Sequence, residues 1–171
     1  MYAVGNKVVH LSHGAGTIID IQQKRIGDTS RRYYVIDTVG KPMRLLVPVK
    51  LAKDGRLRPV GQQARLRKVL AARCLASAED EIPQDYRARK EIMSARLKSG
   101  RFEEVASAVS ALFLLSSRRR LGTTDRRFLD NGKDLLAGEL ALASGLEVSE
   151  AMSEIEEGLA QMLPGQLENK E

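Results

Sequence analysis

Up to about residue 58 the apolar positions come in short bursts. Val8-Val9, Thr17-Ile18-Ile19-Asp20-Ile21, Tyr33-Tyr34-Val35-Ile36 and Met43-Arg44-Leu45-Leu46-Val47 are rich in β-branched, aromatic or other apolar side chains, which suit a pleated, half-buried surface. Turn formers stand between them: His13-Gly14-Ala15-Gly16, Gly27-Asp28-Thr29-Ser30 and Gly40-Lys41-Pro42, with Asp54-Gly55 following Pro48. Four or five short strands at this spacing predict a small, strongly bent antiparallel sheet or barrel.

From about residue 61 the apolar period changes from two to 3.6. Leu66, Val69 and Leu70 form one stripe of a helix that Gly61 precedes. Residues 76–83 are polar and acidic and read as a connector. Pro83 suits the first turn of the next helix, which runs to Leu97 and stops at Ser99-Gly100. Phe102, Val105, Val109, Leu112 and Phe113 make one buried face. Thr123-Thr124-Asp125 reads as an N-cap region, and Phe128, Leu129, Leu135, Leu136 and Leu140 form the core side of that helix. Val148, Met152, Ile155, Leu159 and Met162 form a heptad-like seam that Pro164-Gly165 ends. The seam is too short for a coiled coil and is expected to pack on its own domain, leaving the chain a monomer. The expected class is therefore α+β: a β module over residues 1–58, leaning on the first helix, and an all-α domain over residues 59–171.

Charge sharpens this picture. Residues 1–138 hold 27 Lys and Arg against 14 Asp and Glu, whereas residues 139–171 hold one against eight. A basic body with an acidic end points to a polyanionic partner for the body. The longest apolar run, from Ala111 to Leu115, is far too short to span a bilayer. The opening residues lack the layout of a secretory signal, and the lone Cys74 cannot form an internal disulfide. A cytoplasmic chain with no membrane partner is the expectation.

Catalytic chemistry finds little support. The glycines of His13-Gly14-Ala15-Gly16 precede a strand, whereas a phosphate loop needs a helix N-terminus after it. On extended chain, His10 and His13 are expected on opposite faces, with no Cys or acid near to complete a metal set. Arg73 neighbours Cys74, but Leu70, Ala71 and Leu75 make a small apolar core residue the simpler reading. No enzyme activity, cofactor or metal is expected.

The order of motifs carries a resemblance. Val4-Gly5-Asn6-Lys7-Val8-Val9, His13-Gly14-Ala15-Gly16-Thr17-Ile18, Tyr33-Tyr34-Val35-Ile36, Leu46-Val47-Pro48-Val49 and Gly55-Arg56-Leu57-Arg58 resemble the opening domain of the CarD family (CarD/CdnL) of bacterial transcription regulators. Tyr86-Arg87-Ala88-Arg89-Lys90, Lys98-Ser99-Gly100 and Leu135-Leu136-Ala137-Gly138-Glu139-Leu140-Ala141 match its helical domain in order and spacing. The resemblance covers roughly residues 2–162. It implies a Tudor-like five-stranded barrel that docks on the β subunit of RNA polymerase, a module similar to one in the transcription-repair coupling factor. It also implies a helical domain that contacts promoter DNA at the upstream edge of the melted region with little sequence reading. Together these would stabilise the open promoter complex.

Carried over residue by residue, the resemblance implies a polymerase-facing surface around Lys24, Arg25, Arg44, Leu46 and Pro48. Leu46 stands where the family often has arginine, with Arg44 two residues earlier on the same strand face. The family's DNA wedge is a tryptophan before a basic run; here Tyr86 takes that place, followed by Arg87, Arg89 and Lys90. Such a wedge fills the minor groove while cations neutralise phosphates. Packing at a helix start is the alternative role for Tyr86. Arg118, Arg119, Arg120, Arg126 and Arg127 flank the Leu121-Gly122 turn, with Lys133 beyond, and form a phosphate-binding candidate. A solvated basic loop is the bland reading. An adaptor that binds polymerase without useful DNA contact is the competing function, and a sequence-specific repressor is disfavoured because no recognition helix is evident.

Overall fold

The computed structural model describes residues 1–75 and 82–163. Four strands open the chain: β1 (Lys7–His10), β2 (Gly14–Ile26), β3 (Thr29–Thr38) and β4 (Arg44–Pro48). A helical turn, α1 (Val49–Leu51), and a wider turn at Ala52–Arg56 lead to β5 (Leu57–Pro59). Then come α2 (Gln63–Leu75), α3 (Tyr86–Lys98), α4 (Phe102–Arg118), α5 (Thr123–Ser144) and α6 (Val148–Ala160). The expected α+β class and element order are present. The connector expected over residues 76–83 falls largely outside the described residues, as do Pro164-Gly165 and the side chain of Cys74.

All strand pairs are antiparallel, in the order β4-β3-β2-β1-β5. The sheet curls until Val47 from one edge and Leu57 from the other share a core with Val8, Ile18, Tyr34, Ile36 and Ala52. Tyr2 helps to close it: its ring meets Tyr34 edge-on at 5.9 Å, and its hydroxyl donates to the Leu57 carbonyl. A bulge between Ile18 and Asp20 shifts the inward parity of β2, so Ile18 and Ile21 point in while Ile19 is left 39 % exposed. Gly16 is forced by packing, since a Cβ there would lie 2.6 Å from Ile36 Cγ2 and 2.7 Å from the Asp37 carbonyl oxygen.

In the helical part α4 is the central element. Val105, Ala108, Val109, Ala111 and Leu112 are all buried. Leu66 of α2, Met93 and Leu97 of α3, Leu136 and Leu140 of α5, and Ile155 and Leu159 of α6 join them in one cluster. Each fully buried Leu, Ile or Met contributes about 1.5–3 kcal/mol relative to exposure. The Val148, Met152, Ile155, Leu159 and Met162 seam joins this same cluster. A capping box between Glu147 and Glu150 starts α6. Asp85 caps α3 by accepting from the Ala88 amide, so that helix begins at Tyr86 rather than around Pro83.

The β module leans chiefly on α5 rather than on the first long helix, α2. The reason lies in small residues: Ala15 of β2 is buried opposite Gly138 of α5, and Gly14 comes against Leu135. A polar knot locks this approach. Arg58 of β5 donates from Nη1 to Glu139 Oε1 and from Nη2 to Oε2, each at 2.7 Å, while Gly61 N–H donates to Oε1 at 3.0 Å. Arg58 Nε also donates to the Gly100 carbonyl. Gly100 sits at φ +71, and any Cβ there would run into Leu11 of the β module. Lys7 Nζ donates to the Leu142 carbonyl at 2.9 Å.

The histidine expectation needs correcting. The β1–β2 turn folds the chain back after His10, so the His10 and His13 rings lie 5.0 Å apart instead of on opposite faces. Burial, then His13 and Arg56, lower the His10 pKa from its ordinary 6.5. The Ser12 amide donates to His10 Nδ1, a bond that favours the neutral ring. The unfolded chain thus binds a proton at His10 more readily than the folded one. This contribution to stability is whole above pH 6.5 and is lost as pH falls towards the lowered folded value. Urea denaturation between pH 7 and 5 should therefore show a decline that His10→Gln reduces; equal declines in both proteins would contradict it.

Candidate nucleic-acid and protein interfaces

Two surfaces gather the residues singled out in the sequence. The first is the outer face of the bent sheet. Register sets Lys24 opposite Arg31, Val35 opposite Leu46, Tyr33 opposite Pro48 and Asp37 opposite Arg44. Residues alternate faces along a strand, so Lys24, Arg44, Leu46 and Pro48 share one face. Leu46 is 46 % exposed in its middle. β4 is an edge strand, leaving one side of its backbone without a strand partner. Arg25 pairs with Ser30 and lies on the opposite face, so it does not join the others. Tyr33, half-buried, completes the surface, whereas Val35 points the same way but is only 6 % exposed; the alternation of Tyr33 with inward Tyr34 was the available signal.

The second surface lies where the starts of α3 and α5 meet. Tyr86 opens α3 and stays 48 % exposed. Its hydroxyl donates to Thr124 Oγ1 of α5 at 3.1 Å. The Arg89 guanidinium sits 5.8 Å from the ring centroid. Arg87 and Lys90 are exposed on the same helix start, and Arg126 and Arg127 on that of α5. Arg118 ends α4, and Arg119 and Arg120 run on towards Leu121-Gly122, all three exposed. Among the described residues, none of Arg87, Lys90, Arg119, Arg120, Arg126 and Arg127 has an acidic partner.

Two of the residues singled out are paired with acids. Arg89 is only 4 % exposed. Its Nη2 lies 3.0 Å from Asp125 Oδ2, its Nε donates to both Asp125 oxygens, and its Nη1 donates to the Pro83 and Gln84 carbonyls. A guanidinium so committed cannot reach a phosphate; it instead pins the two helix starts together. Asp125, read from sequence as part of a cap region, is the buried partner, while Gly122 occupies the N-cap. Lys133 pairs with Glu156 of α6 at 3.6 Å. The described residues contain no group of three or more His, Cys, Asp or Glu placed to hold a metal, and no helix among them is long and apolar enough to cross a membrane.

A bent sheet with an apolar and cationic edge is thus joined to a helical domain with cationic helix starts, a two-part architecture. The chain belongs to the CarD family: residues 2–68 match the CarD-like/TRCF RID domain and residues 70–156 match the CarD, C-terminal domain. A Bacillus subtilis (strain 168) protein named "Putative transcription factor YdeB" is 25 % identical over 146 residues, spanning 85 % of this chain and 94 % of its own length.

The buried pair makes a sharp stability contrast. Asp125→Ala strands the Arg89 charge and should destabilise by about 3 kcal/mol. Glu156→Ala, at a more exposed pair, should cost under about 1 kcal/mol. Chemical denaturation of both variants tests this, and equal losses would contradict it.

Proposed function

We propose that the protein binds the β subunit of bacterial RNA polymerase through the outer sheet face and stabilises the open promoter complex through non-sequence-specific contacts from the helix starts. The observation that carries this reading is the exposed Tyr86 ring at the junction of two helix starts that bear Arg87, Lys90, Arg126 and Arg127, cations with no acidic partner among the described residues. Charges left unpaired in one place favour an anionic ligand. A flat, exposed aromatic at the same helix start offers a face to an unstacked base step. Arg87, Lys90, Arg119, Arg120, Arg126 and Arg127 supply the phosphate contacts, while Arg89 holds their geometry.

On the other surface, Leu46 and Pro48 give an apolar centre, with Lys24 and Arg44 as a cationic rim. That division matches a protein interface, whose core is apolar and whose rim is polar. Docking there raises the local concentration of the helical part at the promoter, so individually weak phosphate contacts become effective. A preference of about 1.4 kcal/mol for the melted state shifts its population tenfold.

If four phosphates are neutralised at the helix starts, these cations contribute about 3.6 to the slope of log affinity against log salt. Removing two, as in Arg126→Ala/Arg127→Ala, should lower the slope by about 1.8. A salt-independent affinity of the unmodified protein would reject DNA binding and leave a polymerase-binding adaptor. Tyr86→Ala should shorten the lifetime of polymerase open complexes about fivefold, the loss of about 1 kcal/mol of stacking. An unchanged lifetime, in a variant that melts normally, would make Tyr86 a packing residue.

A further inference from the structure

Beyond the bent sheet, residues 23–32 form an arm with no strand on either flank. β1 pairs with β2 only up to Thr17, and β4 pairs with β3 only up to Tyr33. Every residue of the arm is exposed. Two-stranded ribbons are marginal in water. This one also sets Lys24 directly opposite Arg31, a like-charge pair that destabilises the ribbon further. Lys24, Arg31 and Arg32 have no acidic partner among the described residues. Such an arrangement favours an external anion.

The two faces of the arm differ in chemistry. The outer face continues the Tyr33 and Leu46 surface and adds Ile26, 63 % exposed, to Lys24 and Arg31. The reverse face carries Gln23, Arg25, Ser30 and Arg32, with no apolar and no acidic side chain. Gln23 Nε2 donates to Ser30 Oγ at 2.6 Å, and Arg25 Nε donates to the Gly27 carbonyl at 3.3 Å. Arg25 and Arg32 are diagonal cross-strand neighbours, with backbones about 7–8 Å apart. The buried core of a protein interface is more apolar than its surroundings. Arg, Ser and Gln without apolar area are the chemistry of contacts to a nucleic-acid backbone.

We propose that the reverse face of the β2–β3 ribbon is a second DNA-backbone contact, with Arg25 and Arg32 neutralising phosphates of duplex DNA at a point separate from the helix starts. The major groove of B-form DNA is wide enough to admit a two-stranded ribbon. The assignment rests on the reading above in one respect: the outer face is left to polymerase.

The test measures binding of the full chain to a random-sequence duplex across a salt series, alongside capture of purified polymerase. Arg25→Ala/Arg32→Ala should lower the log–log salt slope by about 1.8 and leave polymerase capture unchanged. Lys24→Ala/Arg31→Ala should weaken capture with a much smaller change in slope. An unchanged slope for Arg25→Ala/Arg32→Ala overturns the proposal. So does a loss of polymerase capture by that variant with DNA binding intact, which would make the reverse face a protein contact. Equal slope changes in the two ribbon variants overturn the assignment of faces. Arg126→Ala/Arg127→Ala reports separately on the helix starts: if its slope is unchanged while the Arg25→Ala/Arg32→Ala slope falls, the helix-start reading fails and the ribbon contact stands. Circular dichroism checks that each variant, altered only at exposed positions, remains folded.

Discussion

Arg58 reaches from the last strand of the sheet into the helical part and is held there by both oxygens of Glu139 and by the Gly100 carbonyl. Glu139 is 3 % exposed, and its Oε1 also accepts the Gly61 amide. Removing Arg58 would leave the Glu139 carboxylate buried without its cation, at a cost of about 3–5 kcal/mol. The knot ties β5, the α3–α4 turn and the middle of α5 at one point. The two parts of the chain therefore form one body, and the outer sheet face stands in a fixed relation to the cationic helix starts.

A fixed relation changes what tethering means. A flexible linker raises the concentration of a binding unit everywhere within its reach. A rigid body places that unit in one position and orientation, with little further loss of freedom on binding. The second pin, Arg89 with Asp125, acts at shorter range by holding the start of α3 to that of α5. Cations spread over two helix starts would otherwise repel one another. Anchoring both helices through a buried ion pair keeps the repelling charges close, where their combined field is strongest.

Much of this was legible in the sequence. Strand bursts, the switch to a 3.6 period and the apolar stripes of α4 and α6 located the elements, and the motif order pointed to the family. Tyr86, Arg87 and Lys90 could be placed at a helix start because Pro83 and Ser99-Gly100 bracketed that helix. Other features depend on partners far along the chain. Nothing local distinguishes Arg89, with Asp125 beneath it, from its exposed neighbours. The ribbon was hidden because Gln22, Gln23, Lys24 and Arg25 lack period-two alternation; an arm with both faces in solvent has no apolar side to reveal it. The Gly14-Ala15-Gly16 stretch read as a turn, whereas its small residues begin β2 and let α5 approach. His10 and His13 are neighbours only because the chain reverses between them.

The most direct measurement is a footprint of purified polymerase on a promoter, with and without this protein, probing both backbone protection and exposure of unpaired thymines. If the sheet face and the helix starts act as one body, the protein adds protection at the upstream edge of the melted region. It also increases the fraction of complexes with reactive thymines downstream of that edge. Identical footprints under conditions where the protein is bound to polymerase would contradict the account.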